Sequence, residues 1–203
     1  MRPEVRAVLF DCDGVLADSE GLVNRILAED LTALGWAVDA EEVQRRFLGL
    51  ALPDIRPLLI ARLGPLPAGW EAALGARIMD ALAAELEPIP GATAALALVA
   101  ARGLPMAACS NSSRRELRQK LDRLGFTHFF AGRIYSFEDV ARPKPAPDIY
   151  LAAAQACGVP PATCLVIEDS APGLAAAEAA GCQALKVEGG IPDLTPHLTL
   201  RAA

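Results

Sequence analysis

Lysine is scarce in this chain: of 19 basic residues only Lys120, Lys144 and Lys186 are lysines, the rest arginine. A lysine in an unusual context therefore stands out. A positive surplus is also missing, since 25 acidic residues give a net charge of -6. That balance argues against nucleic-acid or anionic-membrane partners, which select basic faces. Histidine is nearly absent, and His128 and His197 fall outside every motif described below. The five cysteines are odd in number and contain no CxxC pair, which excludes a regular disulfide framework or a cysteine zinc site. They read as small buried side chains in a reducing compartment. No apolar run is long enough to cross a bilayer, and the start at Arg2-Pro3-Glu4 carries no secretory signal. The expected address is the cytoplasm, with no membrane partner.

What is present is apolar substance. Hydrophobic residues make up 53% of 203 positions, enough for one sizeable domain with a subdomain, or for two small domains. Val5 to Phe10 is a short apolar run broken by Asp11-Cys12-Asp13-Gly14, the pattern of a buried parallel strand reaching a loop. The pattern recurs where Leu104 to Cys109 leads into Ser110-Asn111-Ser112-Ser113, and where Cys164 to Ile167 leads into Glu168-Asp169-Ser170. Helix-like stretches follow at about Arg114 to Leu124, with Ser113 as N-cap, and at Pro172 to Ala180. Gln183 to Val187 and Arg133 to Ser136 read as further strands. Strands alternating with helices predict an α/β fold with a parallel sheet covered on both faces.

Residues 17–87 read differently, as helices only. Leu22, Ile26, Leu27, Leu31 and Leu34 recur at helical spacing, and Glu41 to Phe47, Pro53 to Leu63 and Gly69 to Leu86 follow between Gly- and Pro-bearing turns. The expected organisation is a core from residues 1–16 and 88–203, with an all-helical cap, 17–87, inserted after the first strand. Trp36 and Trp70 are expected to fill the cap's own core.

In a parallel sheet, ligands bind beyond the carboxyl ends of the strands. If the three polar strand ends are neighbours, Asp11, Asp13, Glu168 and Asp169 converge and repel one another. A divalent cation relieves that repulsion, and oxygen-only ligands suit Mg²⁺. Phosphoryl transfer in addition needs positive charge, donors for phosphoryl oxygens, a nucleophile and a proton shuttle. Ser110 and Asn111 are donors, and Lys144 stands between prolines in Arg142-Pro143-Lys144-Pro145-Ala146-Pro147, which fix the backbone around it.

These four clusters resemble the motifs of the haloacid dehalogenase superfamily, in the branch with a helical cap. The first stands as Phe10-Asp11-Cys12-Asp13-Gly14-Val15-Leu16-Ala17-Asp18-Ser19-Glu20, the second as Ser110-Asn111, the third as Lys144 in Lys144-Pro145-Ala146-Pro147-Asp148-Ile149-Tyr150, and the fourth as Ile167-Glu168-Asp169-Ser170. They keep the family's order over residues 5 to 188. The resemblance implies a Rossmann-like core and a phosphatase acting on a small phosphorylated metabolite. Sugar phosphates, phosphogluconate and phosphoglycolate all suit the scaffold. It implies that Asp11 attacks phosphorus to form an aspartyl-phosphate and that Asp13 is the acid and base. Mg²⁺ would be held by Asp11, the Asp13 carbonyl and Asp169, with Glu168 as a ligand or behind the ligands. Ser110, Asn111 and Lys144 would hold the phosphoryl group.

Asp13 separates this chain from dehalogenases and phosphonate hydrolases of the superfamily, which lack that acid. The β-phosphoglucomutase relatives carry a cap histidine at the position of Val23 and basic residues at those of Leu48 and Leu52. All three are apolar here, which turns the expectation from phosphomutase to phosphatase. A non-catalytic metabolite-binding regulator is the reading from another class, and the filled motif positions oppose it. Within the cap, Glu20, Asn24, Arg45 and Arg46 are candidates for substrate specificity. The chain continues for 13 residues after Gly190, where relatives usually add a strand and a helix. An altered sheet edge is expected; of the oligomeric states, a monomer is the expectation.

Overall fold

The computed structural model describes residues 3–47 and 52–198, with residues 53 and 54 by backbone alone. The first apolar run forms β1, Ala7–Phe10, every residue buried. The other strands are β2, Met106–Cys109, β3, Ile134–Tyr135, β4, Cys164–Glu168, and β5, Gln183–Lys186. All pairings are parallel and the order is β3-β2-β1-β4-β5. The strand that carries Asp11 thus lies at the centre. Phe10 stands opposite Ala108 of β2 and Ile167 of β4, so the three polar strand ends emerge side by side. β1, β2 and β4 are wholly buried, as strands covered on both faces must be. β5, at the edge, alternates half-buried and exposed residues.

Four helices share a compact unit with the sheet: α5, Ala92–Ala101, α6, Arg114–Arg123, α7, Asp148–Ala156, and α8, Ala171–Ala179. The sequence pattern did not resolve α5 and α7. α5 is apolar almost throughout, so it has no periodicity to read, although it buries only Ala92, Ala95, Leu96 and Val99. On one face of the sheet Leu9, Ala107 and Val166 meet Ile149 and Ala153 of α7 and Ala177 of α8. Small alanines on both helices let them approach the strands closely. The segment after β5 turns back toward α5. Ile191 N–H donates to the Pro90 carbonyl (2.9 Å), Leu194 is fully buried, and Arg102 donates to the Leu198 carbonyl.

The chain divides into two compact units, Met1–Asp18 with Leu86–Ala203, and Ser19–Glu85. Residues 17–18 and 86–87 go with the sheet unit because the two crossing strands pair with each other. Asp18 N–H donates to the Glu87 carbonyl (3.0 Å) and Ile89 N–H to that of Leu16 (3.1 Å). The second unit holds α1, Glu20–Ala33, α2, Ala40–Phe47, α3, Leu52–Leu63, and α4, Trp70–Glu85. Its own core includes Ile26, Leu31, Val43, Leu59 and Leu74. Trp70 joins that core and donates its indole N–H to Asp30 (2.6 Å); Trp36 packs at its edge. Leu48 lies outside the described residues.

Candidate active site

β1 ends at Phe10, and the chain must turn at once. Leu16 and Ala17 N–H groups both donate to the Cys12 carbonyl (2.8 Å each), and Gly14 donates to the carbonyl of Ala17 (3.0 Å). Gly14 has φ of 75°, and a Cβ there would overlap the Asp169 carboxylate. Only glycine permits this backbone at that distance. The turn after β1 is thereby laid directly against the end of β4.

Lys144 crosses to the same place from the loop before α7. Asn111 holds that loop by its backbone: its Oδ1 accepts from Lys144 N–H (3.0 Å) and its Nδ2 donates to the Lys144 carbonyl (3.1 Å). The buried ammonium donates to Asp11 Oδ1 (2.5 Å), Glu168 Oε1 (2.7 Å) and the Cys109 carbonyl (2.9 Å). It also stands 4.9 Å from the centre of the Tyr150 ring. Burial opposes its charge, but Asp11 and Glu168 outweigh that and hold the Lys144 pKa above the ordinary lysine value.

Glu168 is fully buried, and both its oxygens are committed. Oε1 accepts from Lys144 and from Tyr150 O–H (3.1 Å), Oε2 from Ser170 N–H and Oγ (2.9 Å each). Burial pushes its carboxyl up, yet Lys144 and the Ser170 donors bring it below the usual glutamate value. Burial raises Asp11 to about 7; Lys144 pulls down, while Glu168 and Asp13 push further up. Among the described residues, oxygens of Asp11, Glu168 and Asp169 lie within 4.8 Å of one another, a set that could hold a metal ion. Five carboxylates, those of Asp11, Asp13, Glu116, Glu168 and Asp169, face two ammonium groups here, those of Lys144 and Lys120. The donor set fits a hard divalent cation.

Ser110 and Asp13 meet at 3.4 Å (Oγ to Oδ2), and Ser110 Oγ accepts from Ser112 N–H (2.9 Å). The structure thus brings Asp11, Asp13, Ser110, Lys144, Glu168 and Asp169 together, and sets Asn111 against the lysine loop. Glu20, Asn24, Arg45 and Arg46 belong to the helical unit. There Arg45 pairs with Glu41 (3.6 Å), and Arg46 pairs with Glu42 (2.6 Å) and lies over Trp36. Sequence reasoning gave no role to Tyr150, Ser112 or Lys120. The signal for Lys120 was legible: it lies three residues after Leu117 and beside Leu121, on the apolar face of an otherwise very polar helix.

A protein-family model described as haloacid dehalogenase-like hydrolase matches residues 5–181. The chain belongs to this family. It is 34% identical over 174 residues to 6-phosphogluconate phosphatase of Escherichia coli K12, covering 83% of this chain and 76% of that protein. It is 32% identical to the bifunctional riboflavin kinase/FMN phosphatase of Arabidopsis thaliana, over 89% of this chain but only 48% of that protein. Among solved structures it superposes on a family hydrolase from Deinococcus radiodurans with bound phosphate and sodium. The TM-score is 0.77 at 35% identity, over 89% of this chain and 79% of that one. The chain is thus a haloacid dehalogenase-like hydrolase with a five-stranded Rossmann-like core, among the phosphatases of the family. Among the described residues no helix is long and apolar enough to cross a membrane.

Proposed function

We propose that the chain hydrolyses a small phosphorylated metabolite, of the sugar phosphate, phosphogluconate or phosphoglycolate class, through an aspartyl-phosphate on Asp11 and with Mg²⁺. The observation that carries this reading is the buried Lys144 ammonium, which touches Asp11 and Glu168 at once beside Asp169. Its partners leave the carboxylates in excess of the cations, as a metal-assisted phosphoryl site requires. Asp11 and Asp169 would hold the cation, with Glu168 committed to its four donors behind them. When bound, the cation supplies neutralising charge for the phosphoryl group and the carboxylates.

Asp11 attacks phosphorus, so an O–P bond forms as the bond to the leaving oxygen breaks. Asp13 gives that oxygen its proton, then takes one from the water that cleaves the aspartyl-phosphate and frees inorganic phosphate. Lys144 neutralises Asp11 and the transferring oxygens, and the Ser110 hydroxyl donates to one of them. Asn111 acts by holding the lysine loop. Glu20, Asn24, Arg45 and Arg46 are the cap residues for substrate choice. A reducing, cytoplasmic setting suits the five free cysteines.

The test is phosphate release from a panel of small phosphorylated metabolites with Mg²⁺, run beside Asp11→Asn. Release in the wild type and none in the variant is expected. Release that persists in the variant overturns the covalent route. Isomerisation of glucose 1-phosphate without release would assign a phosphomutase instead.

A further inference from the structure

Lys120 projects from the buried face of α6, between Leu117 and Leu121. Its side chain is 2% exposed. Burying an ammonium is costly, and a leucine or methionine would complete this helix face without that cost. Glu116, its neighbour one turn away at 2.5 Å, is itself 30% exposed and reaches water unaided. The helix therefore has no need of the charge. Its other partners lie in the site. Lys120 donates to Asp13 Oδ1 and, at 3.2 Å, to Ser112 Oγ. Ser112 O–H in turn donates to Asp13 Oδ2 at 2.9 Å, where Ser110 also reaches at 3.4 Å. Each oxygen of Asp13 thus has a donor of its own, and the donors are tied to one another. Asp13 needs such a tether more than its neighbours. Its side chain is 32% exposed, whereas that of Asp11 is 10% and that of Glu168 is fully buried.

We propose that Lys120, together with Ser112, is a positioning residue for Asp13, fixing the carboxyl so that it meets the leaving oxygen and then the incoming water. This rests on the acid and base role proposed for Asp13. An aspartate has two free side-chain torsions, and a misplacement of about 1 Å at a reacting group costs roughly 10²-fold in rate.

The experiment separates proton delivery from all other steps. Single-turnover release of the leaving group, with enzyme in excess and Mg²⁺ present, is compared for an alkyl phosphate and for 2,4-dinitrophenyl phosphate. The alkyl oxygen must be protonated as it leaves; the dinitrophenolate leaves without a proton. The variants are Lys120→Met combined with Glu116→Gln, which removes both charges of the helix pair, Ser112→Ala, and Asp13→Asn as reference. The paired variant is expected to lose about 10²-fold on the alkyl ester and several-fold at most on the dinitrophenyl ester. Ser112→Ala should show the same selectivity on a smaller scale. Equal losses on both esters, or none, while Asp13→Asn stays selective, overturn the positioning role alone. An Asp13→Asn variant without selectivity overturns the acid and base reading and the positioning role with it. Should the paired variant fail to fold by circular dichroism, Ser112→Ala decides by the same criterion.

Discussion

Lys144 touches three acceptors, each from the end of a different strand: Asp11 after β1, the Cys109 carbonyl of β2 and Glu168 of β4. A single compact nitrogen can serve all three; a planar guanidinium cannot occupy the same point. Lys144→Arg is therefore expected to lower phosphate release by about 10²-fold or more, although the charge is retained. Near-native kcat in the variant would show that charge alone suffices. Asp11 gives a pH test. Its carboxyl is raised by burial from 3.8 to about 7. Between those limits the folded protein without metal keeps a proton that the unfolded chain has released, so this group's contribution to stability falls as pH rises through the window. A divalent cation competes with that proton. The rise in melting temperature on adding Mg²⁺ should be small near pH 5, grow to above pH 7, and flatten in Asp11→Asn. A response equal at all pH values in the wild type would contradict this.

Glycines in the first halves of α8 and α4 stand there for different reasons. In α8, a Cβ on Gly173 would overlap the carboxylate of Glu168; in α4, a Cβ on Gly75 meets nothing within 4 Å. Helix propensity alone favours alanine over glycine by about 1 kcal/mol at either place. Gly75→Ala is therefore expected to stabilise the protein by about 0.5–1 kcal/mol in urea denaturation. Gly173→Ala should destabilise it by roughly 1–3 kcal/mol, because Glu168 is fixed by four donors and cannot yield. It should also lower phosphate release, since Glu168 holds Lys144. Equal effects at the two positions would mean that the first turn of α8 moves aside freely. At α6 the buried residues are Leu117, Lys120 and Leu121, and there the site, rather than the helix, explains the lysine.

All five strands and α5 to α8 lie in one unit, and the two chain crossings that leave it are paired by backbone hydrogen bonds. Joining Asp18 to Leu86 by a short Gly-Ser linker should consequently give a core that still unfolds cooperatively. Circular dichroism against temperature is the measurement, and a broad, non-cooperative melt would show that the core depends on residues 19–85. At this scale the sequence determined much. Short apolar runs ending in Asp11, Ser110 and Glu168 announced a parallel sheet, because a strand buried on both faces must be apolar throughout. Helical spacing alone marked residues 17–87 as a separate kind of structure, where the compact helical unit is Ser19–Glu85. The four motifs gave the chemistry by residue type. The tertiary structure decided the strand order that makes the three polar ends neighbours, since pairing between strands leaves no local mark in sequence. It turned Asn111 onto the backbone of the Lys144 loop, and committed Glu168 to four donors. It also brought Lys120, 107 residues away in the chain, to the carboxyl of Asp13. Contacts over such separations follow from packing, and no window of sequence contains both partners.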